Sequence, residues 1–376
     1  MNVKIRGSAS PPSREEPEAM EKILITGAAG FIGSHLVQYL AGQGYRIRAT
    51  DMPEADLTVA HESGAEVMTA DLFDLDSLKK AVSGVDHVVH AAALFDLGAP
   101  RDLLEKVNVT GVHTICKLCV DQGIKRFVNV STSAIYGRPL RTPIREDDPK
   151  RPLELYGRTK WEGEKAAFMY YERYGLPVTA IRPTLVYGPR SRYGHALYIA
   201  GAVLLKWRGI LGLHMLAGGP LNHNVHVVDV CRAADHVLRD DAAVGKAFNV
   251  ADDQPMTLEG FFQAIVEPFG IIFQKRVRYY PWLWRAFVRL LLWLLPLGVK
   301  RLNQRIMIGW CHLTETRNLV PALRPKVDRS WLNFVLYDQH YDTSRLRGLG
   351  WRPHYPDFRQ GIRETIDWYL AHRWIP

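Results

Sequence analysis

Tyr156 and Lys160 stand four residues apart in the stretch YGRTK. At the opening of a helix that spacing puts both side chains on one face. A lysine ammonium beside a phenol stabilises the phenolate and lowers the tyrosine pKa. A tyrosine tuned this way can take a proton from a substrate hydroxyl while a hydride departs. Upstream, Ser131-Thr132-Ser133-Ala-Ile-Tyr136-Gly137 crowds hydroxyls at the end of an apolar run. One serine hydroxyl there can hold the developing carbonyl oxygen. Alone, YxxxK is no more than a solvated helix start. The chemistry needs a hydride acceptor held beside the tyrosine.

The elements that would hold one come first in the chain. Lys22 to Thr26 is a short apolar, β-branched run, hence a buried strand. Gly27-Ala-Ala-Gly30-Phe31-Ile32-Gly33 follows at once, then a helical pattern through Leu40. Glycines in a strand-to-helix turn let the backbone approach a pyrophosphate, and the helix N-terminus offers it free N–H groups. Arg46 to Thr50 reads as a second strand and ends at Asp51, where a ribose-binding carboxylate belongs. A carboxylate there accepts from the ribose hydroxyls and repels a 2′-phosphate, which favours NAD over NADP. Arg48, two residues earlier, works in the opposite sense. Further strands are expected from Val67 to Asp71, followed by Leu72, from Asp86 to Ala93 and from Arg126 to Ser131. Ala91, Ala92 and Ala93 leave room for a cofactor. Helical stretches separate the strands, so the expected fold is α/β, a Rossmann-type doubly wound parallel sheet.

With GxxGxxG, Asp51, the hydroxyl run and YxxxK in order, the chain resembles the extended short-chain dehydrogenases/reductases, the NAD-dependent epimerase/dehydratase superfamily. The resemblance runs from about Lys22 to the C-terminus and includes Asn108 in VNVTG and Arg182-Pro183 in RPTLVYGP. It implies that Tyr156 is the general acid/base, that Lys160 binds the nicotinamide ribose, and that Asn108 and Pro183 belong to the cofactor site. It also implies Ser133 as the catalytic serine, with Ser131 and Thr132 as alternatives. It divides the chain into an NAD-binding domain over 21–185, to which later segments return, and a smaller C-terminal α/β substrate-binding region over 186–376. Asn249 to Asp253 and Thr257 to Val266 look like a strand and a helix of the second half.

Two substrate classes compete. Members resembling the sugar 4-epimerase carry an arginine for the nucleotide diphosphate in an RDYIHVxD-like segment. Here the matching segment is NHNVHVVD, with Asn222 in the arginine's place, leaving Arg190, Arg192 or Arg208 to substitute. TAIRPTLVYGPR (Thr179 to Arg190), GKAFNVADDQP (Gly245 to Pro255) and QHYDTSRLRGLGWRP (Gln339 to Pro353) resemble instead the 3β-hydroxysteroid dehydrogenase and sterol 4-carboxylate 3-dehydrogenase branch. That resemblance implies NAD-dependent oxidation of a 3β-hydroxysteroid or sterol. A 4-carboxysterol would then lose CO₂, because the new C3 ketone is an electron sink. A non-catalytic NAD-binding scaffold is a third reading, disfavoured by the intact Ser133, Tyr156 and Lys160.

The net charge of +9 on 376 residues is local. Between Ile271 and Ser330 there are twelve Lys/Arg and two Asp/Glu, a surplus of +10, leaving −1 elsewhere. A surplus so confined suggests an anionic surface as partner. No nucleic-acid-binding pattern accompanies it. Within this region lies PWLWRAFVRLLLWLLPLGV, residues 281–299. It is about one bilayer span long, but Arg285 and Arg289 are costly in hydrocarbon. Wound as a helix, Leu283, Trp284, Phe287, Val288, Leu290, Leu291, Leu294 and Leu295 form one apolar face. Basic flanks make it an interfacial helix on anionic lipid, with packing into the enzyme's own core as the competing reading. Leu197 to Leu205 is expected to join that surface. The expected partners are a sterol-like lipid, an anionic membrane surface and no nucleic acid, with a homodimer left open. Residues 1–20 are polar, proline-rich and without the apolar core of a signal peptide, so they read as a disordered tail. The expected place is the cytoplasm, on the inner face of a membrane. Four cysteines make no disulfide framework, and the lone CxxC of Cys116 and Cys119 reads as buried apolar packing, so no metal is expected.

Overall fold

The computed structural model describes residues 20–96, 98–294, 298–327, 332 and 335–376. The disorder expected of the N-terminal tail lies outside the described residues, apart from Met20. Seven strands form one parallel sheet: β1 (Lys22–Thr26), β2 (Arg46–Asp51), β3 (Glu66–Thr69), β4 (His87–His90), β5 (Arg126–Val130), β6 (Val178–Pro183) and β7 (Ala247–Val250). Their spatial order is β7-β6-β5-β4-β1-β2-β3. The order reverses between β1 and β4, and such a switch point opens a crevice at the carboxyl ends of the strands.

Alternation along the strands builds a core on each face. Ile23, Ile25, Val89 and Val128 point to α1 (Phe31–Gly42). Leu24, Val88 and Phe127 point to α2 (Gly111–Asp121) and α3 (Leu155–Tyr174). Cys116 and Cys119 are fully buried in that second core as free thiols. A third core gathers α4 (His195–Trp207), Leu258–Val266, Phe358–Ala371 and Trp310 and Leu313. Two later segments return to the main sheet. Helix α5 (Val227–Arg239) packs on α1 through Val230, Ala234 and Val237. Strand β7 extends the sheet beyond β6. The strand expected over Asn249–Asp253 therefore begins two residues earlier and is an edge of the cofactor-side sheet. Helix α6 (Pro281–Leu294) buries only Val288 among the described residues, and α7 (Val299–Thr316), which follows it, supplies Trp310 and Leu313.

Strand β4 stops at His90 rather than Ala93, because its neighbour β1 ends at Thr26 and turns at Gly27. Ala91 N–H still reaches the Thr26 carbonyl (3.2 Å), and the alanines then leave the sheet as a loop. Leu197 to Leu205, expected on a docking surface, is instead part of a core helix, with Ile199, Ala200, Ala202 and Val203 buried. Its sequence is apolar because it faces Phe261, Trp310 and Ile362.

Candidate active site

Gly27 adopts φ +70°, and a Cβ on it would lie 2.6 Å from the Ala92 backbone. A Cβ on Gly33 would lie 1.9 Å from the Gly27 carbonyl oxygen, so α1 can start this close to β1 only with glycine there. Gly30 differs: its Cβ would meet only the Gly27 oxygen at 3.1 Å, and the residue faces the cavity. Gly30 also caps α1 with no side-chain hydrogen bond. The first N–H groups of the helix are therefore aimed at the space a pyrophosphate needs.

Asp51 closes β2 beside this loop and accepts from Ala29 N–H at 2.9 Å and Met52 N–H at 2.8 Å. Arg48 does not compete with it. Its guanidinium is buried, pairs with Glu66 at 3.0 Å and donates to the Ala81 and Ser83 carbonyls. Gly27, Gly30, Phe31, Ile32, Gly33, Ala91, Ala93 and Pro183 line one cavity of about 380 Å³ together with Ser133, Tyr156 and Lys160. Asp51, Asp71, Leu72, Ala92 and Asn108 are not on its wall. Asp71 holds the following turn through Phe73 N–H (3.0 Å), and Leu72 packs against Gly111. Asn108, expected at the cofactor, is buried instead in a π-helical turn, where its amide bonds both backbone groups of Leu94 and donates to Thr159 at 3.1 Å. It is a positioning residue: it ties the loop after β4 to the helix that carries Lys160.

Tyr156 and Lys160 sit in the first turns of α3 and are both buried. The Phe95 ring stands edge-on to Tyr156 at 4.9 Å. Lys160 Nζ donates to the Val130 carbonyl at 2.8 Å, and burial pushes its pKa down to about 8. Burial pushes the Tyr156 phenol up, opposed by a hydrogen bond with the Thr132 hydroxyl. This differs from the expected phenolate beside an ammonium: the ammonium is engaged by Val130, and the phenol is desolvated. The hydroxyl run divides among several partners, with Ser131, Thr132 and Ser133 all on the cavity wall. Thr132, not Ser133, is the hydroxyl that meets Tyr156. Ser133 bonds Tyr341 instead, and Ser131 Oγ is buried on the cavity wall with no partner among the described residues.

Two wall residues carried no local signal in the sequence. Tyr341 is buried, and its hydroxyl meets Gln339 Oε1 at 2.5 Å as well as Ser133. His223 accepts from Tyr341 N–H at 3.1 Å on Nδ1 and faces Asp252 through Nε2 at 3.2 Å. Asn222 also lies on the wall. The arginines offered as its substitutes point elsewhere. Arg190 reaches Gln38, Arg192 lies over Trp374, and Arg208 lies over Trp207.

Residues 23–251 match the family described as the NAD dependent epimerase/dehydratase family. The chain belongs to that family. As an NAD dependent epimerase/dehydratase family member it takes NAD, and the free helix terminus and the open face of Gly30 fit the dinucleotide. The uncharacterized Sinorhizobium fredii protein y4nG is 32% identical over 93% of this chain and 79% of its own length. Mouse dTDP-D-glucose 4,6-dehydratase is 25% identical over 97% and 95%. The bovine decarboxylating sterol-4-alpha-carboxylate 3-dehydrogenase is 25% identical over 69% and 74%. The fold is that of the UDP-glucose 4-epimerase of Thermotoga maritima, solved with UDP-glucose: TM-score 0.69, 22% identity, 93% of this chain and 99% of that one.

Proposed function

We propose that the protein oxidises the secondary hydroxyl of a 3β-hydroxysteroid or sterol to the ketone. The observation that carries this reading is the chemistry of the cavity wall. No arginine and no carboxylate stand among the described residues that line it. The α1 terminus serves the cofactor's own pyrophosphate, so a second nucleotide diphosphate would need a further cationic group, for which guanidinium is well suited. Elimination of water from a sugar needs a further acid and base at the reacting carbons. Leu94, Phe95, Leu185, Val186 and Tyr193 offer apolar surface in their place.

NAD, when bound, supplies the hydride acceptor. Gly30, the opening of α1 and Asp51 would hold it, and Ser131 Oγ is a free donor on the same wall. The ionised Tyr156 would take the hydroxyl proton from the substrate oxygen as the carbonyl forms, and the Thr132 hydroxyl would hold that oxygen beside it. Lys160, held by the Val130 carbonyl on the same wall, would bind the nicotinamide ribose. A substrate with a C4 carboxylate would become a β-keto acid and lose CO₂ without an added metal. The bovine relative, named for a decarboxylating reaction on such a sterol, supports this extension. The full-length match to a dTDP-D-glucose 4,6-dehydratase supports a second reading, a nucleotide-sugar 4-epimerase or dehydratase.

One experiment separates them. NAD reduction should appear with a 3β-hydroxysteroid presented in detergent, and UDP- or dTDP-glucose should leave the melting temperature unchanged. Strong thermal protection by the nucleotide sugars, with no steroid turnover, would transfer the assignment to the second reading.

A further inference from the structure

Among the described residues, helix α6 attaches to the protein by one edge. Val288 is its sole buried residue among those described, flanked by the half-buried Trp284 and Leu291. Trp284 Nε1 donates to the Val335 carbonyl at 2.8 Å. The other edge is bare: Trp282 is 68% exposed and Trp293 73%, with Phe287 and Leu290 exposed between them and Leu294 exposed just after. The apolar face expected from the sequence is thus divided between core and solvent; Leu295, counted in it, lies outside the described residues. Across the 85° bend, α7 adds Ile308 at 70% exposed. The surface continues through Trp207, whose ring lies 5.7 Å from that of His312 on α7, to Ile210, Leu211 and Ile272. An apolar surface this large, rimmed by polar groups, marks an interaction site.

The rim identifies the partner. Lys275, Arg278, Arg289, Lys300, Arg301 and Arg305 are exposed, and none pairs with a carboxylate among the described residues. A protein partner would match such a face with a few acidic side chains. A bilayer with anionic headgroups offers both a continuous negative surface and an apolar interior, and tryptophans settle at the boundary. The geometry lies on the membrane rather than through it. With 14 residues, α6 is about 21 Å long, short of the roughly 30 Å hydrocarbon core, and it carries two arginines. No single helix among the described residues is long and apolar enough to cross.

We infer that α6, α7 and the rim of basic residues dock the protein monotopically on an anionic bilayer. Helix α6 reaches a segment that runs on to the cavity. Arg285 lies over the Tyr337 ring, and Gln339 and Tyr341, two and four residues further along the same segment, line the wall. At about 3.5 Å per residue that separation is at most about 14 Å. The inference rests on the surface and holds whatever the substrate.

The test is flotation of the full chain with phosphatidylserine-containing and with pure phosphatidylcholine vesicles, at low and high salt. Wild type should float with the anionic vesicles, and less at high salt. Phe287→Glu/Leu290→Glu, at exposed positions, should lower the partition coefficient about tenfold or more while NAD binding is kept. Lys300→Glu/Arg301→Glu should weaken anionic binding alone. Protein that stays at the bottom with every vesicle overturns the inference. So does equal, salt-independent flotation on neutral lipid. A wild-type dimer that the Phe287/Leu290 variant turns into a monomer, with no flotation, would assign the face to a second copy of the chain.

Discussion

At the scale of single residues, Thr132 is where sequence and structure part. YxxxK is legible because its spacing is one helical turn, and α3 keeps it. The hydroxyl run is not, because β5 ends at Val130 and the chain enters a 3₁₀ turn at Ser133–Ile135. Strand alternation no longer decides which side chain faces the tyrosine; a turn of three residues does. Thr132 caps that turn, accepting from Ala134 N–H at 3.2 Å, and its hydroxyl is thereby fixed against Tyr156. Thr132→Val should therefore lower turnover by about 10²-fold or more, as loss of one oxyanion donor does, with NAD affinity retained. Ser133→Ala should cost less. Steady-state kinetics decide it, and the reverse order would restore Ser133. Asp51 makes a second residue-level prediction. Arg48 is committed to Glu66, so no cationic side chain among the described residues pairs with the Asp51 carboxylate. NAD should bind tighter than NADP by titration calorimetry, and Asp51→Ala should narrow the gap. Tighter binding of NADP to the wild type would refute the assignment.

At the scale of elements, α3 is the hub of the site, and two glycines let it be one. A Cβ on Gly163 would lie 2.1 Å from the Asn108 carbonyl, and one on Gly157 would lie 2.7 Å from that of Ala134. The helix therefore touches both the π-helical turn and the hydroxyl loop. Its far side carries Glu164, fully buried and hydrogen-bonded to Arg182 of β6, which also donates to the Tyr136 hydroxyl and the Glu146 carbonyl. Arg182 thus serves the site by architecture, while Pro183, Thr184, Leu185 and Val186 of the same stretch line the cavity. Glu164→Gln leaves the guanidinium buried without its charge partner and should destabilise the fold by about 3–5 kcal/mol. Urea unfolding measures this; an unchanged midpoint would show that the pair adds nothing. Element positions were readable from periodicity, whereas the neighbours of an apolar helix were not. The α4 pattern looked like a surface and is core; the α6 pattern is half of each. Hydrophobicity names a need for cover without naming the cover.

At the scale of the whole molecule, the three cores bury histidines that must stay neutral. Burial holds His35, His90 and His226 down to about 3, and His195 to about 4. Their ordinary value is 6.5, so the unfolded chain binds more protons as the pH falls below it. The stability they contribute is complete above 6.5 and is lost as the pH falls toward 3 to 4. Melting temperature should be flat above about pH 6.5 and decline steadily below it; a flat profile down to about pH 5 would mean these rings are protonated in the fold. The large-scale plan was legible because strand, turn and helix recur in order. The partners of Tyr341 and His223 were not, because the chain brings them together from segments with no shared pattern. Strand β7 has a consequence in time. β6 is wholly buried, yet its outer neighbour is made only when synthesis passes Val250. Until then the growing chain presents an open, apolar sheet edge, and Tyr136 lacks its Asn249 acceptor. The nucleotide half cannot finish folding on the ribosome ahead of the half that follows it, so this enzyme's nascent chain should be a client for chaperones through most of its elongation.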